Sequence, residues 1–255
     1  MLNNGAKQLE FKCYTDYSIG FLTRGCFRQC KFCVNQNYKK VNKASPLSEF
    51  YDDSRKKILL LDDNFLGYSK WREELEELNK TGKRFLFKQG LDFRLLNNEK
   101  CEMLFKCKYD GEKIFAFDNY NDKEVIENKL RLSREYTNEI MKFYVFTGFD
   151  RNNKWDSNFW IRDLYELFER IKILMEYKCL PYIMRYNKYI ESPYKGVYIS
   201  VARWCNQPSI FKKMSLIEFA QTEIDKYGSV TNMKYLNNLI NEIPDMEKYL
   251  EMKWE

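Results

Sequence analysis

With 255 residues, 44% of them hydrophobic, the chain is long enough to bury a large core, and its 31% charged residues point to a solvated exterior. It has no histidine, which excludes Ser-His-Asp and Cys-His catalysis in their usual forms and every zinc site that uses imidazole. A net charge of +6 is mildly basic, with Lys and Arg scattered rather than massed; it suits a well-solvated surface and leaves an anionic partner such as nucleic acid open.

No window of about 18 apolar residues without charge occurs, so neither a membrane span nor a membrane partner is expected. The N-terminal MLNNGAKQLEFKCYTD lacks the apolar core of a signal peptide. A cytoplasmic location follows as the expectation, and there eight cysteines serve as thiols or metal ligands rather than disulfides.

Along the chain, strands and helices alternate. YSIGFLTRG (17–25) reads as a strand running into a cysteine-bearing loop, and SPLSEFYDDSR (45–55) as a helix with Ser45 as N-cap and Pro46 in its first turn. KKILLLDDN (56–64) is a short apolar run ending in acids, as a buried parallel strand would be. SKWREELEELNKTG (69–82) is an amphipathic helix closed by Gly82, KRFLFKQG (83–90) a third strand, and NEKCEMLFKCK (98–108) a helix. The same unit continues with a strand at 112–118, a helix at 123–138, a strand at 141–150, the longest helix at 159–178 and a sixth strand at 180–186.

This alternation predicts an α/β fold with a parallel sheet and helices outside it. No G-x-G-x-x-G follows the first strand, which weakens a dinucleotide-binding reading. A partial (β/α)6 TIM-like barrel over residues 1–190 fits better, with residues 191–255 as a C-terminal helical extension packed on it. The extension contains a helix at 214–228, with Ser215 as cap, and helical stretches on either side of Pro244, and it is expected to cover an open sheet edge. In either architecture ligands gather at the C-terminal ends of the strands.

GCFRQCKFC (25–33) places Cys26, Cys30 and Cys33 in the order C-x3-C-x2-C, directly after the first strand. Structural zinc would want four ligands, usually as two separated C-x2-C pairs, and only one tight group exists. Three unrelated buried thiols would make the spacing a coincidence. As an iron–sulfur site, three thiolates hold three corners of a 4Fe-4S cluster and leave the fourth iron without a protein ligand.

The motif, with aromatic Phe32 before its last cysteine and the lead-in TRGC, resembles the radical S-adenosylmethionine (radical SAM) superfamily. The alternation over 17–186 is similar to that family's partial barrel. The resemblance implies that Cys26, Cys30 and Cys33 are the metal ligands and the catalytic centre. The open iron would chelate S-adenosyl-L-methionine, and one electron would split its sulfonium to give a 5′-deoxyadenosyl radical. That radical would take a hydrogen atom from a small molecule, nucleotide or nucleic acid. An electron donor such as flavodoxin or ferredoxin is implied as partner.

The resemblance also suggests cofactor contacts, with Phe32 among them. Family members often carry Gly-Gly-Glu after the second strand; this chain has Asp62, Asp63 and Asn64, whose carboxylates suit an ammonium but whose types equally suit a turn. Arg94 in KQGLDFR matches a cofactor carboxylate, with a salt bridge at Asp92 as the alternative. Asp118 suits a ribose hydroxyl, Gly148 a close backbone approach to the adenosine, and Arg185 lies where the family places adenine contacts. The remaining Cys13, Cys101, Cys107, Cys179 and Cys205 are expected to be buried structural thiols, with Cys205 the one placed where substrate would enter. Set against the enzyme are a non-enzymatic iron–sulfur electron carrier or redox sensor and a basic nucleic-acid-binding module with structural zinc.

Overall fold

Short runs rich in branched and aromatic residues, such as KILL, RFLF and KFYVFT, form the longer strands of the fold. The computed structural model describes residues 16–35 and 37–254. The strands are β1 (Tyr17–Gly20), β2 (Thr23–Arg24), β3 (Asn42–Lys43), β4 (Lys57–Leu60), β5 (Arg84–Phe87), β6 (Ile114–Ala116), β7 (Lys142–Thr147) and β8 (Leu180–Arg185). In β7 the period of two is plain: Phe143, Val145 and Thr147 are buried, and Lys142, Tyr144 and Phe146 lie half-buried on the other face.

The architecture is mixed α/β with parallel sheets. Strands β1, β4 and β5 pair in parallel, and so do β6, β7 and β8. Parallel bridges at Phe85–Tyr109 and Leu91–Phe115 join the two sheets, the second with Leu91 N–H donating to the Ile114 carbonyl at 2.8 Å. The six long strands therefore stand side by side in chain order. Among the described residues no pairing joins β8 back to β1, so the sheet does not close as a TIM barrel does. Part of the reason lies at β8, where the Asn206 side chain accepts from Ile183 N–H at 2.6 Å and donates to Ile183 C=O at 3.1 Å. It satisfies backbone groups of an edge strand that a further strand would otherwise take.

Helices α1 (Trp71–Lys80), α2 (Asn98–Lys106), α3 (Lys123–Arg134) and α4 (Ser157–Glu176) follow β4, β5, β6 and β7. Asp156 caps α4 by accepting from Phe159 N–H at 2.8 Å. Trp160, Leu164, Leu167, Phe168, Ile171 and Leu174 then recur at three- and four-residue steps as its buried stripe. After β8 come α5 (Lys195–Cys205), α6 (Pro208–Phe211), α7 (Leu216–Tyr227), α8 (Thr231–Glu242) and α9 (Glu247–Leu250). One hydrophobic core runs without a break from Leu22 to Leu250, so the later helices share the core of the sheet. Among the described residues no helix is long and apolar enough to cross a membrane.

Three local expectations differ from the structure. The strand expected at 17–25 stops at Gly20, and Thr23–Arg24 turns to pair antiparallel with Asn42–Lys43, closing the base of the cysteine loop. The helix expected at 45–55 is a single 3-10 turn, Leu47–Glu49. Asp52 accepts from Ser54 N–H and Oγ–H, and its own N–H donates to Ser18 Oγ, so side-chain bonds compete with a helix there. Helix α5 was not anticipated: it is apolar on nearly every side, and only a Cβ-free Gly196 lets it approach the Tyr235 ring, which an added Cβ would meet at 2.3 Å.

The Ser215 cap forms as expected, as a capping box in which Ser215 Oγ accepts from Glu218 N–H and Glu218 Oε2 accepts from Ser215 N–H. Ser215→Ala should destabilise the protein by about 1 kcal/mol. A thermal melt should show that as a fall of about 2–4 °C, as expected for a chain of this length.

Candidate functional site

The cysteine loop leaves β2 through Gly25, whose φ is +99° and where a Cβ would meet the Lys40 carbonyl at 2.4 Å. Only glycine fits that turn. Cys26, Cys30 and Cys33 all lie partly exposed on the loop, and Cys33 N–H donates to the Cys30 carbonyl at 2.9 Å. Cys26 Sγ receives Arg28 N–H at 3.4 Å and Asn64 Nδ2–H at 3.3 Å, and Cys33 Sγ receives Asn35 N–H at 3.4 Å. Burial pushes the Cys30 thiol above its usual range, Arg94 opposes that, and Asp118, Cys26 and Cys33 add to it.

The three residues after β4 hold this loop from beneath. Asp62 is 1% exposed and accepts from Leu22 N–H at 3.2 Å, Thr23 N–H at 2.7 Å and Thr23 Oγ–H at 2.6 Å. Burial pushes its carboxyl up to about 6 against the pull of those bonds. Asp63 accepts from Gly25 N–H at 2.8 Å and from Asn35 Nδ2–H at 2.7 Å, so it ties the residue before the first cysteine to a residue after the last. Arg24 pairs with it at 3.6 Å. Asn64 reaches Cys26. In this structure the oxygens of Asp62 and Asp63 that the sequence analysis offered to a cofactor ammonium accept hydrogen bonds from the chain itself.

Further anchors come from other strand ends. Arg28 Nε donates to Asp92 Oδ2 at 2.6 Å, and Asp92 Oδ1 accepts from Arg94 Nε at 2.8 Å. Arg94 Nη1 continues to Asp122 Oδ2 at 2.7 Å. Burial works to raise the Asp92 carboxyl, but the hydrogen bonds and charges of Arg94 and Arg28 outweigh it and hold it below its usual range. Arg94 thus holds two carboxylates on its guanidinium, and the salt bridge from Asp92 to another part of the chain is made with Arg28. Phe32 sets its ring 4.5 Å from Phe146 and 5.8 Å from Phe149, docking the loop on the end of β7.

Two cavities meet at this point and share Phe32, Asp118, Asn119 and Arg151 as walls. One, about 350 Å³, lies against Cys30, Arg28 and Arg94; the other, about 390 Å³, extends to Asp163, Glu166 and Arg170 on α4. Asp118 Oδ1 accepts from Phe146 N–H at 3.0 Å, and burial pushes its carboxyl up to about 6 although Phe146 N–H, Arg170 and Arg94 oppose it. Arg170, fully buried, donates from Nη1 to the carbonyls of Phe117 and Phe146, where β6 and β7 end. Asp163 Oδ2 accepts from Thr147 Oγ–H, Gly148 N–H and Tyr198 O–H at 2.6–2.9 Å.

The candidates from the sequence thus fall into three groups. Cys30, Phe32, Arg94 and Asp118 line the cavities, while Cys26, Cys33, Asp62, Asp63 and Asn64 form the loop and its support. Gly148 and Arg185 line neither cavity. Gly148 has φ +80° and faces the chain's own Tyr189 and Tyr186, and Arg185 stacks 4.4 Å from the Tyr189 ring. Sequence reasoning missed Arg28, Asn35, Asp122, Asp163 and Arg170, whose partners are brought together only by the fold. Cys101, Cys179 and Cys205 are buried thiols, and Cys107 is partly buried with its thiol donating to the Leu104 carbonyl at 2.9 Å. Cys205 is 1% exposed and packs within the core. Cys13 lies outside the described residues. Among the described residues, no three His, Cys, Asp or Glu side chains converge on a single metal-ion position.

Asp118 gives a pH prediction. Its carboxyl keeps its proton up to about 6 in the folded chain, against an ordinary 3.8. Between those values the folded state holds more protons than the unfolded one, so this group favours folding below pH 4 and loses that advantage as pH rises through 6. In Asp118→Asn the amide oxygen still accepts from Phe146 N–H but carries no charge. Urea denaturation should show the variant more stable than wild type at pH 7 by about 2 kcal/mol and similar at pH 4. No protein-family model matches the chain, and no curated protein is significantly similar to it in sequence.

Proposed function

We propose that the chain is a radical SAM enzyme, in which Cys26, Cys30 and Cys33 hold a 4Fe-4S cluster and S-adenosylmethionine occupies the cavity beside Cys30. One observation carries the reading: three cysteines at C-x3-C-x2-C spacing sit on one loop, pinned at the carboxyl ends of parallel strands, beside a cavity. The donor set fits a cluster. All three ligands are sulfur, and N–H groups of Arg28, Asn35 and Asn64 already point at two of them, as suits thiolates carrying negative charge. The side-by-side order of the six long strands, open between β8 and β1, supports a partial (β/α)6 barrel.

When bound, cluster and S-adenosylmethionine together supply one-electron reductive cleavage and hydrogen-atom abstraction. The chain's own residues bind and orient. The three thiols give up their protons on ligation, and the raised Cys30 thiol makes loading favour higher pH. Asp63 fixes both ends of the ligand loop, and the Arg28–Asp92–Arg94–Asp122 chain fixes the wall facing Cys30. Phe32, Phe146 and Phe149 form an apolar patch on the cavity wall. Asp118, with one oxygen on Phe146 N–H, lines both cavities and is the carboxylate available there to a ligand hydroxyl. Substrate approach is open along the strand faces that carry Ile19, Tyr182 and Met184, each 38–42% exposed. The substrate is a small molecule, nucleotide or nucleic acid, and the electron donor a flavodoxin- or ferredoxin-type protein of a reducing cytoplasm.

Anaerobic reconstitution with iron and sulfide tests this. Wild-type protein should take up a brown cluster and, once reduced, convert S-adenosylmethionine to 5′-deoxyadenosine and methionine. Cys26→Ala, Cys30→Ala and Cys33→Ala should each lose the chromophore, whereas Cys101→Ala and Cys179→Ala should keep it. A full, reducible cluster without any cleavage would favour an electron carrier or redox sensor, and zinc without iron would favour a structural site. Asp63→Ala should lower iron retention severalfold as well as cofactor cleavage, because it frees Gly25 and Asn35; unchanged iron content in that variant would refute the clasp.

A further inference from the structure

The hydrogen bonds to the cysteine sulfurs are of two kinds. Arg28 N–H on Cys26 and Asn35 N–H on Cys33 come from the backbone two residues further on, so the turn of the loop itself provides them. Asn64 is different. It comes from beyond β4, is 3% exposed, and sends Nδ2–H to Cys26 Sγ at 3.3 Å. Its other end, Oδ1, is buried without a hydrogen-bond partner among the described residues. A buried amide with one unsatisfied end is costly to fold. The reverse orientation would set a carbonyl oxygen against sulfur lone pairs, so the donor end must face the thiolate.

The side chain is also held in place. Asn64 C=O accepts from Gly67 N–H at 3.0 Å, starting the 3-10 turn Phe65–Gly67, and Phe65 is fully buried. Gly67 lies against Phe27, the neighbour of Cys26, where an added Cβ would come within 2.8 Å of its ring. The donor and the sulfur are therefore fixed relative to each other by packing on both sides.

We infer that Asn64 is a positioning residue that sets the reduction potential of the cluster through its Nδ2–H···Sγ bond to Cys26. This rests on the cluster reading above. Reduction adds one electron from an external one-electron donor to the cluster and breaks no bond. The added charge spreads onto the thiolate sulfurs, and an N–H dipole aimed at one of them stabilises the reduced state more than the oxidised state. The buried surroundings strengthen that interaction. The potential is raised, and more cluster is reduced at a given donor strength.

The test is an EPR-monitored redox titration of reconstituted wild-type, Asn64→Leu and Asn64→Asp proteins, with dithionite as reductant. Leu removes the donor at similar size; Asp keeps the shape but places an acceptor oxygen toward the sulfur, and it stands in if the Leu variant does not fold. At a fixed potential the ratio of reduced to oxidised cluster should fall about tenfold, a shift of about 59 mV for one electron, with iron content unchanged. Variants with full iron and the wild-type midpoint would overturn the proposal, as would variants that simply fail to hold iron, since Asn64 would then be scaffold alone. A wild-type protein that takes up no iron would instead overturn the cluster reading on which the proposal stands.

Discussion

The buried carboxylate of Asp62 is the contact on which the site depends. Its three hydrogen bonds reach Leu22 and Thr23, so they fix the point where the chain leaves β1 and turns into β2. Each bond to an ionised group is worth about 1.5–3 kcal/mol in favourable cases. If those bonds outweighed the loss of hydration, the carboxyl would titrate below its ordinary 3.8; it is pushed up to about 6 instead. Ionised Asp62 therefore costs stability near neutral pH, and what it contributes is geometry. It makes one turn the only turn available, and the next two residues then reach the loop at Gly25, Asn35 and Cys26.

The far wall of the site is built by the opposite arrangement, a buried cation. Past their paired region β6 and β7 leave carbonyls at Phe117 and Phe146, and Arg170 takes both with one nitrogen. A lone guanidinium there would be prohibitively expensive. Asp163, Asp118 and Glu166 face it, and desolvation still lowers its proton affinity. The same Asp163 accepts from Tyr198 on α5, so the C-terminal helices reach the cavity wall through one carboxylate. That linkage brings the helices after β8 into contact with the wall of the site.

How much of this was legible follows from how local each cause is. Helix α4 and strand β7 announce themselves by periodicity, and their bounds fall within two or three residues of expectation. The cysteine spacing is legible because it is written over eight consecutive residues. The 45–55 segment is not, because Asp52 has a competing partner in Ser18, which no reading of 45–55 alone would find. Helix α5 was not singled out within the expected helical extension because it is apolar on nearly every side, which weakens the amphipathic signal. At Asp62, Asp63 and Asn64 the residue types were noticed, but their partners lie 28 to 40 positions away, and a carboxylate type does not say which charge or dipole it will meet.

Burial is divided across the site in a way that bears on ligand exchange. The three cysteines are partly exposed, whereas the groups that hold their loop, Asp62, Asn64 and Asp92, are at most 9% exposed. Motion of a side chain on the open side does not require the buried contacts to break, so a group can be gained or lost at the sulfurs while the loop keeps its path. The reverse does not hold. Removing Asp63 releases Gly25 and Asn35 together, and those two residues flank the whole C-x3-C-x2-C segment. Fixed supports beneath accessible thiols are what the cluster reading proposed above requires. A single ion caged by converging side chains would need the opposite: ligands that are themselves buried and mutually close.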